Sequence, residues 1–94
     1  MLRATIRFSL NGDKCSAARN QVVAPLKSAG FRNVDTGTWE IFSRQSQTIT
    51  TAISDALQRI EACGLLDHCW IHIEKLSVRQ KASLRGGVKL LDEG

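Results

Sequence analysis

The residues of this sequence that could carry chemistry lie close together, in residues 68–75. Side chains of a β-strand alternate between its two faces, and this segment alternates between polar and apolar residues. Its apolar face consists of Cys69, Ile71 and Ile73. Its polar face combines two imidazoles, an indole and a carboxylate, contributed by His68, Trp70, His72 and Glu74. Such groups can bind a metal ion, transfer a proton or stack on another ring, and their spacing decides among these uses.

Neither a metal site nor a catalytic site is predicted from this spacing. His68 and His72 share a strand face but would lie ~13 Å apart at ~3.3 Å per residue, and Cys69 points the other way. His72 and Glu74 would be neighbours, so His72 could act as a general base, but an ordinary surface histidine is the simpler interpretation. The sequence has no Walker loop, G-x-G-x-x-G, H-E-x-x-H or G-x-S-x-G motif. The catalytic residues are therefore unknown, and no metal or cofactor is expected.

The first strand adds cations to the polar face. Arg3, Thr5 and Arg7 alternate with apolar residues, and in a sheet of order 4-1-3-2 they would lie beside residues 68–75. In this arrangement a tryptophan could stack on a nucleobase while arginines contact phosphate groups. The candidate binding residues are therefore Arg3, Arg7, Trp70 and His72.

A second interpretation is that a partner subunit covers this face, with Trp70 as its apolar anchor. We favour the dimer at this point, because one exposed tryptophan among mixed charges is typical of an interface. The first strand also has arginine and threonine at positions where RNA-recognition domains need aromatic rings. The partner, nucleic acid or protein, stays open.

Hydrophobic periodicity predicts the elements that must position these residues. Apolar residues three and four apart predict a helix at Ser46–Cys63, capped by Ser46 or Thr48 and ended by Gly64. Its inward stripe would be Ile49, Ala52, Ile53, Ala56, Leu57 and Ile60.

In the N-terminal half, alternation predicts a strand over residues 2–10. A helix follows, capped by Asp13 or Ser16 and ended by Gly30. Pro25 must remove one backbone hydrogen bond, which predicts a kink or a helix in two pieces. The inward stripe of this helix would be Cys15, Ala18, Val22, Leu26 and Ala29.

Two short strands, residues 31–35 and 38–43, would flank a tight turn at Thr36-Gly37. If Val34 faces Trp39 across this hairpin, then Trp39 and Ile41 point inward and Phe42 points outward.

The element order βαββαβ predicts an α+β, ferredoxin-like two-layer sandwich, with an antiparallel sheet and both helices on one of its faces. The domain would span residues 1–78, followed by a basic C-terminal extension at 79–94. Within this extension, residues 87–92 have strand character. They are predicted to pair with an edge strand, preferably that of a second subunit.

Composition and charge restrict the function further. The 94 residues carry a net charge of +4, and residues 1–30 hold five cationic side chains against Asp13 alone. This excess mildly favours an anionic partner, although a solvated basic surface is the simpler explanation. The three cysteines lack C-x-x-C spacing, and no apolar run has the length of a membrane span. We therefore expect buried thiols and a cytoplasmic location.

The segments MLRATIRFSLNGD, SAGFRN and ITTAISDALQRI resemble, in pattern, small ferredoxin-like proteins of bacterial defence and toxin–antitoxin systems. These include the GhoS-type antitoxin endoribonucleases and the small subunit of the CRISPR adaptation complex. The resemblance covers most of residues 1–76 and implies an endoribonuclease as one possible activity. In the CRISPR subunit the first strand ends in an aspartate used for metal chemistry. Here that region reads Phe8-Ser9-Leu10-Asn11, with Asp13 later in the loop, so no catalytic residue is transferred.

The expected function is a small, cytoplasmic, non-enzymatic binding module, dimeric, with nucleic acid or another protein as its partner. The alternative is a small endoribonuclease of the antitoxin type.

Overall fold

The computed structural model describes residues 1–12 and 16–76, which form four strands and two helices in the order βαββαβ. All neighbouring strands are antiparallel, and their order in the sheet is β2-β3-β1-β4. The predicted α+β, ferredoxin-like sandwich and its strand order are therefore confirmed. The elements are β1 (Leu2–Leu10), α1 (Ala17–Ala29), β2 (Arg32–Asp35), β3 (Thr38–Ser43), α2 (Ser46–Cys63) and β4 (Leu66–Lys75).

The alternation of β1, a central strand, separates a packed face of the sheet from an open one. Ala4, Ile6 and Phe8 are buried, whereas Arg7 between the last two is exposed. These buried side chains pack with residues of both helices in a single core. The opposite side of the sheet, which we call the open face, is not covered by any helix of the described residues. The largest fully buried side chains of the core are Ile6, Val22, Leu26 and Ile49.

The stripe predicted for α2 is confirmed at five positions and wrong at one. Leu57 is 39% exposed. Arg59 reaches α1 from one flank of the stripe, and at roughly 3.6 residues per turn Leu57 lies on the other flank, away from α1. Leu57 therefore faces the side of the molecule where β4 forms the edge of the sheet. The buried positions are Ile49, Ala52, Ile53, Ala56 and Ile60.

The β2–β3 hairpin differs from the prediction by one residue in register. Asn33, and not Val34, lies opposite Trp39, because the pairing is irregular between Asn33 and Asp35. The inward positions of Trp39 and Ile41 and the outward position of Phe42 are nevertheless confirmed.

The turn of this hairpin is fixed against β1 at Gly37. Its φ of +66° is left-handed, and a Cβ atom added there would lie 2.6 Å from the carbonyl oxygen of Phe8. The Phe8 N–H group in turn donates a 3.0 Å hydrogen bond to the Gly37 carbonyl oxygen. Only glycine permits both the φ and this close approach.

The predicted C-terminal ends of both helices are correct, whereas the caps predicted for the start of α2 are not. Gly30 and Gly64 are left-handed and end α1 and α2. At the start of α2 the capping position belongs to Gln45, without a side-chain capping bond. Ser46 and Thr48 lie inside the helix, and the Thr48 hydroxyl contacts Oε1 of Gln45 at 3.2 Å instead.

α1 runs without interruption from Ala17 to Ala29, so the prediction of two pieces is wrong. Pro25 lies inside it, and the Gln21 carbonyl that would otherwise bond to residue 25 accepts a hydrogen bond from α2. Ser16 occupies the capping position, but it is left-handed (φ 57°) and its side chain makes no capping bond. The buried residues of α1 are Val22, Val23 and Leu26.

Several predictions lie outside the described residues. These are the capping role of Asp13, the burial of Cys15, the extension at 79–94 and the strand at 87–92. β4 begins two residues earlier than predicted, because Leu66 pairs with Leu10 beyond a bulge. No helix in the described part of the chain is long and apolar enough to cross a bilayer.

Candidate functional site

The four candidate binding residues all lie on the open face, on the adjacent strands β1 and β4. Arg7 lies directly opposite Trp70 in the antiparallel register, and Arg3 lies opposite Glu74. His72 lies between these two rows, opposite Thr5. Opposed residues of antiparallel strands have Cβ atoms about 5 Å apart. The sequence therefore placed these side chains correctly relative to one another.

Trp70 and His72 form an aromatic platform on β4. Their ring centroids are 5.8 Å apart and their planes differ by 8°, which is a stacked arrangement. Residues two apart on a strand share a face, so β4 itself creates this contact. The Trp70 ring of this platform is accessible to solvent, because the residue is 53% exposed. His72 also approaches Glu74, with 3.4 Å between Nε2 and Oε1.

At one end of the open face, Arg3 is already occupied by carboxylates. It forms ion pairs with Glu74 of β4 and with Glu40 of β3, the latter at 3.9 Å between Nε and Oε2. All three side chains are partly shielded from solvent. Arg32 of β2 lies opposite Glu40, so two arginines balance the two carboxylates at this end. Arg3 would contact a phosphate only by giving up its carboxylate partners.

At the other end, Arg7 is exposed and has no carboxylate within salt-bridge distance among residues 1–12 and 16–76. It lines a shallow depression together with Trp70, His68, Thr38 and Asp35. The Asp35 carboxylate accepts a 2.8 Å hydrogen bond from the Thr36 N–H group. The free cation and the exposed indole are thus at the same end of the face.

A second depression continues from Arg7 toward the start of α1. Ser9 and His68 line it from the strands, and Arg19 lines it from α1. Sequence analysis placed His68 on the polar face beside Arg7 without choosing it as a binding residue, and it did not consider Ser9 or Arg19. Alternation could have placed Ser9 beside Arg7, whereas Arg19 comes near only through the packing of α1. Arg7 and Arg19 thus contribute two cations to this end of the face, where Asp35 is the carboxylate that lines the Arg7 depression.

The described residues contain no group of three histidine, cysteine, aspartate or glutamate residues that could hold a metal ion. Burial raises the pKa of the Cys69 thiol, which keeps it protonated and a poor nucleophile. In comparisons with known proteins, no family model and no curated protein matched the chain. The chemical feature of this site is therefore a cation, Arg7, beside an accessible aromatic ring, Trp70.

Proposed function

We propose that this domain is a small, cytoplasmic, non-enzymatic binding module whose open face binds single-stranded nucleic acid. In this proposal a base stacks on Trp70 and the neighbouring phosphate contacts Arg7. The observation that carries it is the half-exposed indole directly opposite an arginine that has no ion pair among the described residues. The unpaired Cys63 and Cys69 support a reducing compartment.

A single strand suits this face better than a duplex does. Within residues 1–12 and 16–76 the open face is a sheet surface with shallow depressions and no projecting element to enter a groove. An unpaired base presents its π-face, and stacking on an aromatic side chain contributes ~1–3 kcal/mol per base. The His72 ring holds the Trp70 ring from one side, so little side-chain freedom is lost when a base stacks.

The charge of Arg7 argues against burial of the same face in a face-to-face dimer. A two-fold axis through this face would bring the two Trp70 and Arg7 regions together. Each Arg7 would then be buried beside its copy, with Asp35 as the carboxylate of its depression, and burying two like charges together is costly. A phosphate would instead supply an anion for each arginine. We therefore argue for nucleic acid, and treat a protein partner as an outcome of the test.

The test is fluorescence anisotropy of labelled single-stranded RNA and DNA of mixed sequence, titrated with the full chain at low and moderate salt. The Trp70→Ala variant should bind about 5- to 150-fold more weakly, the equivalent of one lost base stack. Phe42→Ala is the matched control, because Phe42 is an exposed aromatic residue of the same face, opposite Arg3. It should bind like the parent.

Absence of binding at low salt, or equal losses in both variants, would overturn the proposal. Binding of a protein through Trp70 with no nucleic-acid binding would establish the other class of partner. The same labelled RNA, run on a denaturing gel after incubation with and without divalent metal, tests the endoribonuclease alternative. Cleavage by the parent chain would replace the non-enzymatic proposal.

A further inference from the structure

β4 forms an edge of the sheet, and its outward backbone groups can be assigned. The Leu76 N–H group donates a 2.9 Å hydrogen bond to the Met1 carbonyl oxygen. In an antiparallel pair, alternate residues direct both backbone groups to the same neighbour. The even-numbered residues of β4 therefore bond to β1. The odd-numbered residues, Cys69, Ile71, Ile73 and Lys75, direct their N–H and C=O groups outward, where no described strand accepts them.

The same edge exposes apolar side chains on the packed side of the sheet. Ile71 is 37% exposed and Ile73 is 45% exposed, although both are opposite buried residues of β1. Leu57 of α2 lies on the flank nearest to this edge. Partly covered aliphatic residues beside an unpaired strand favour the addition of another strand. The added strand would cover the aliphatic side chains and pair with the free backbone groups.

We infer that β4 pairs antiparallel with β4 of a second copy of this chain, across a two-fold axis that passes beside Ile71. The outward residues of both strands must face each other, which restricts the possible registers to steps of two residues. Centring on Ile71 lets residues 68–74, the regular part of β4 that follows the bulge, pair with their copies. The interface is isologous, so that every contact occurs twice and the assembly closes as a dimer.

Charge selects this register over its neighbours. With Ile71 opposite the partner subunit's Ile71, Asp67 lies opposite the partner subunit's Lys75, and His68 lies opposite the partner subunit's Glu74. A shift centred on Trp70 would place His68 opposite the partner subunit's His72. A shift centred on His72 would place Trp70 opposite the partner subunit's Glu74. Opposite charges on facing residues stabilise a strand pair, and of these three registers only the one centred on Ile71 provides an ion pair, that of Asp67 with the partner subunit's Lys75.

The pairing would also join the two open faces into one surface. Trp70 would lie opposite the partner subunit's His72, so the two aromatic platforms would meet at the centre of an eight-stranded sheet. With the proposed function, the dimer would then offer one continuous stacking surface for a single strand. This consequence rests on the proposed function, whereas the pairing itself does not.

The test measures the oligomeric state of the full chain, without nucleic acid, by sedimentation at several concentrations. Asp67→Lys and Lys75→Asp should each weaken the dimer by about tenfold, because each places two pairs of like charges across the axis. The double variant should recover the parent affinity. Within one subunit the two positions are ~26 Å apart along β4, so recovery cannot arise inside a single chain. Arg7→Ala, which lies off the edge, should dimerise like the parent.

A second measurement covers the case in which a charge variant fails to fold. Ile71→Cys, in a chain whose own cysteines are changed to alanine, should form a disulfide between subunits under mild oxidation. Paired residues at this position would have Cα atoms about 5.5 Å apart, within disulfide reach. Lys75→Cys in the same background should not cross-link. A monomeric parent would overturn the inference. A dimer without charge rescue or without the Ile71→Cys cross-link would place the interface elsewhere.

Discussion

Arg59 of α2 donates a hydrogen bond of 3.1 Å from Nη1 to the backbone carbonyl oxygen of Gln21 in α1. In a regular helix this oxygen accepts from the N–H group four residues later, but residue 25 is proline and has none. Asp55 orients the arginine, with 3.1 Å between its Oδ1 and the Arg59 Nε. The guanidinium thus replaces the helix bond that Pro25 removes, and it joins the two helices.

Replacing Arg59 by alanine should lower the free energy of unfolding by about 1 kcal/mol, the usual contribution of one hydrogen bond in a partly exposed setting. In a Pro25→Ala background, residue 25 regains its N–H group and can bond to Gln21 itself. The same Arg59→Ala change should then lower the free energy of unfolding by clearly less than it does in the parent. Urea denaturation of the four chains, parent, two single variants and the double variant, gives this coupling directly.

The matched control is Asp55→Ala, which removes the ion pair but leaves Arg59 able to reach Gln21. An exposed ion pair of this kind contributes about 0.5 kcal/mol or less. An equal cost of Arg59→Ala with proline and with alanine at position 25 would contradict the link between Pro25 and Arg59.

Truncation within α2 should separate core from surface at two neighbouring aliphatic positions. Ile53 is 7% exposed, and its replacement by alanine should cost ~2–5 kcal/mol, as for a buried aliphatic residue. Leu57→Ala should cost about 1 kcal/mol or less, because that side chain is already partly in water. Thermal and urea unfolding of both variants would show the difference. Equal losses would mean that Leu57 is covered in the folded chain.

Leu57 and Arg3 show how far the sequence determines this structure. Periodicity located α2 and its apolar stripe. The sheet and α1 cover only part of that stripe, however, and Leu57 lies at its exposed margin. Alternation placed Arg3 on the open face with Arg7. It could not distinguish them, because the carboxylates that bind Arg3 come from β3 and β4 and depend on the register of both strands. Long-range register is thus where sequence reasoning fell short.

The hairpin turn offers a sharper test of backbone packing. Gly37→Ala should lower stability by at least ~2 kcal/mol, because it combines left-handed strain of ~1 kcal/mol with a clash against a backbone oxygen of β1. That oxygen belongs to Phe8, whose strand cannot move without disturbing the core. Urea denaturation would measure the loss.

Gly64→Ala is the control for the strain alone. Gly64 has a similar φ of +68°, but an added Cβ atom would have nothing within 4 Å. This variant should lose only ~1 kcal/mol, the cost of placing alanine in the left-handed region. If Gly37→Ala lost no more than Gly64→Ala, the close approach of the turn to Phe8 would be disproved.

The binding role of Arg7 can be measured through salt dependence. For binding driven by phosphate contacts, the logarithm of the association constant falls linearly with the logarithm of the salt concentration. For a single strand the slope is ~0.7 per phosphate contact. Arg7→Ala should weaken the binding of single-stranded RNA and reduce this slope by about 1. Its melting temperature should stay near that of the parent, since Arg7 is exposed and no ion pair within the described residues depends on it.

The control variant Arg44→Ala removes the same charge from the connection between β3 and α2, off the open face. Equal slopes for the two variants would show that net charge, and not the position of Arg7 beside Trp70, governs the binding.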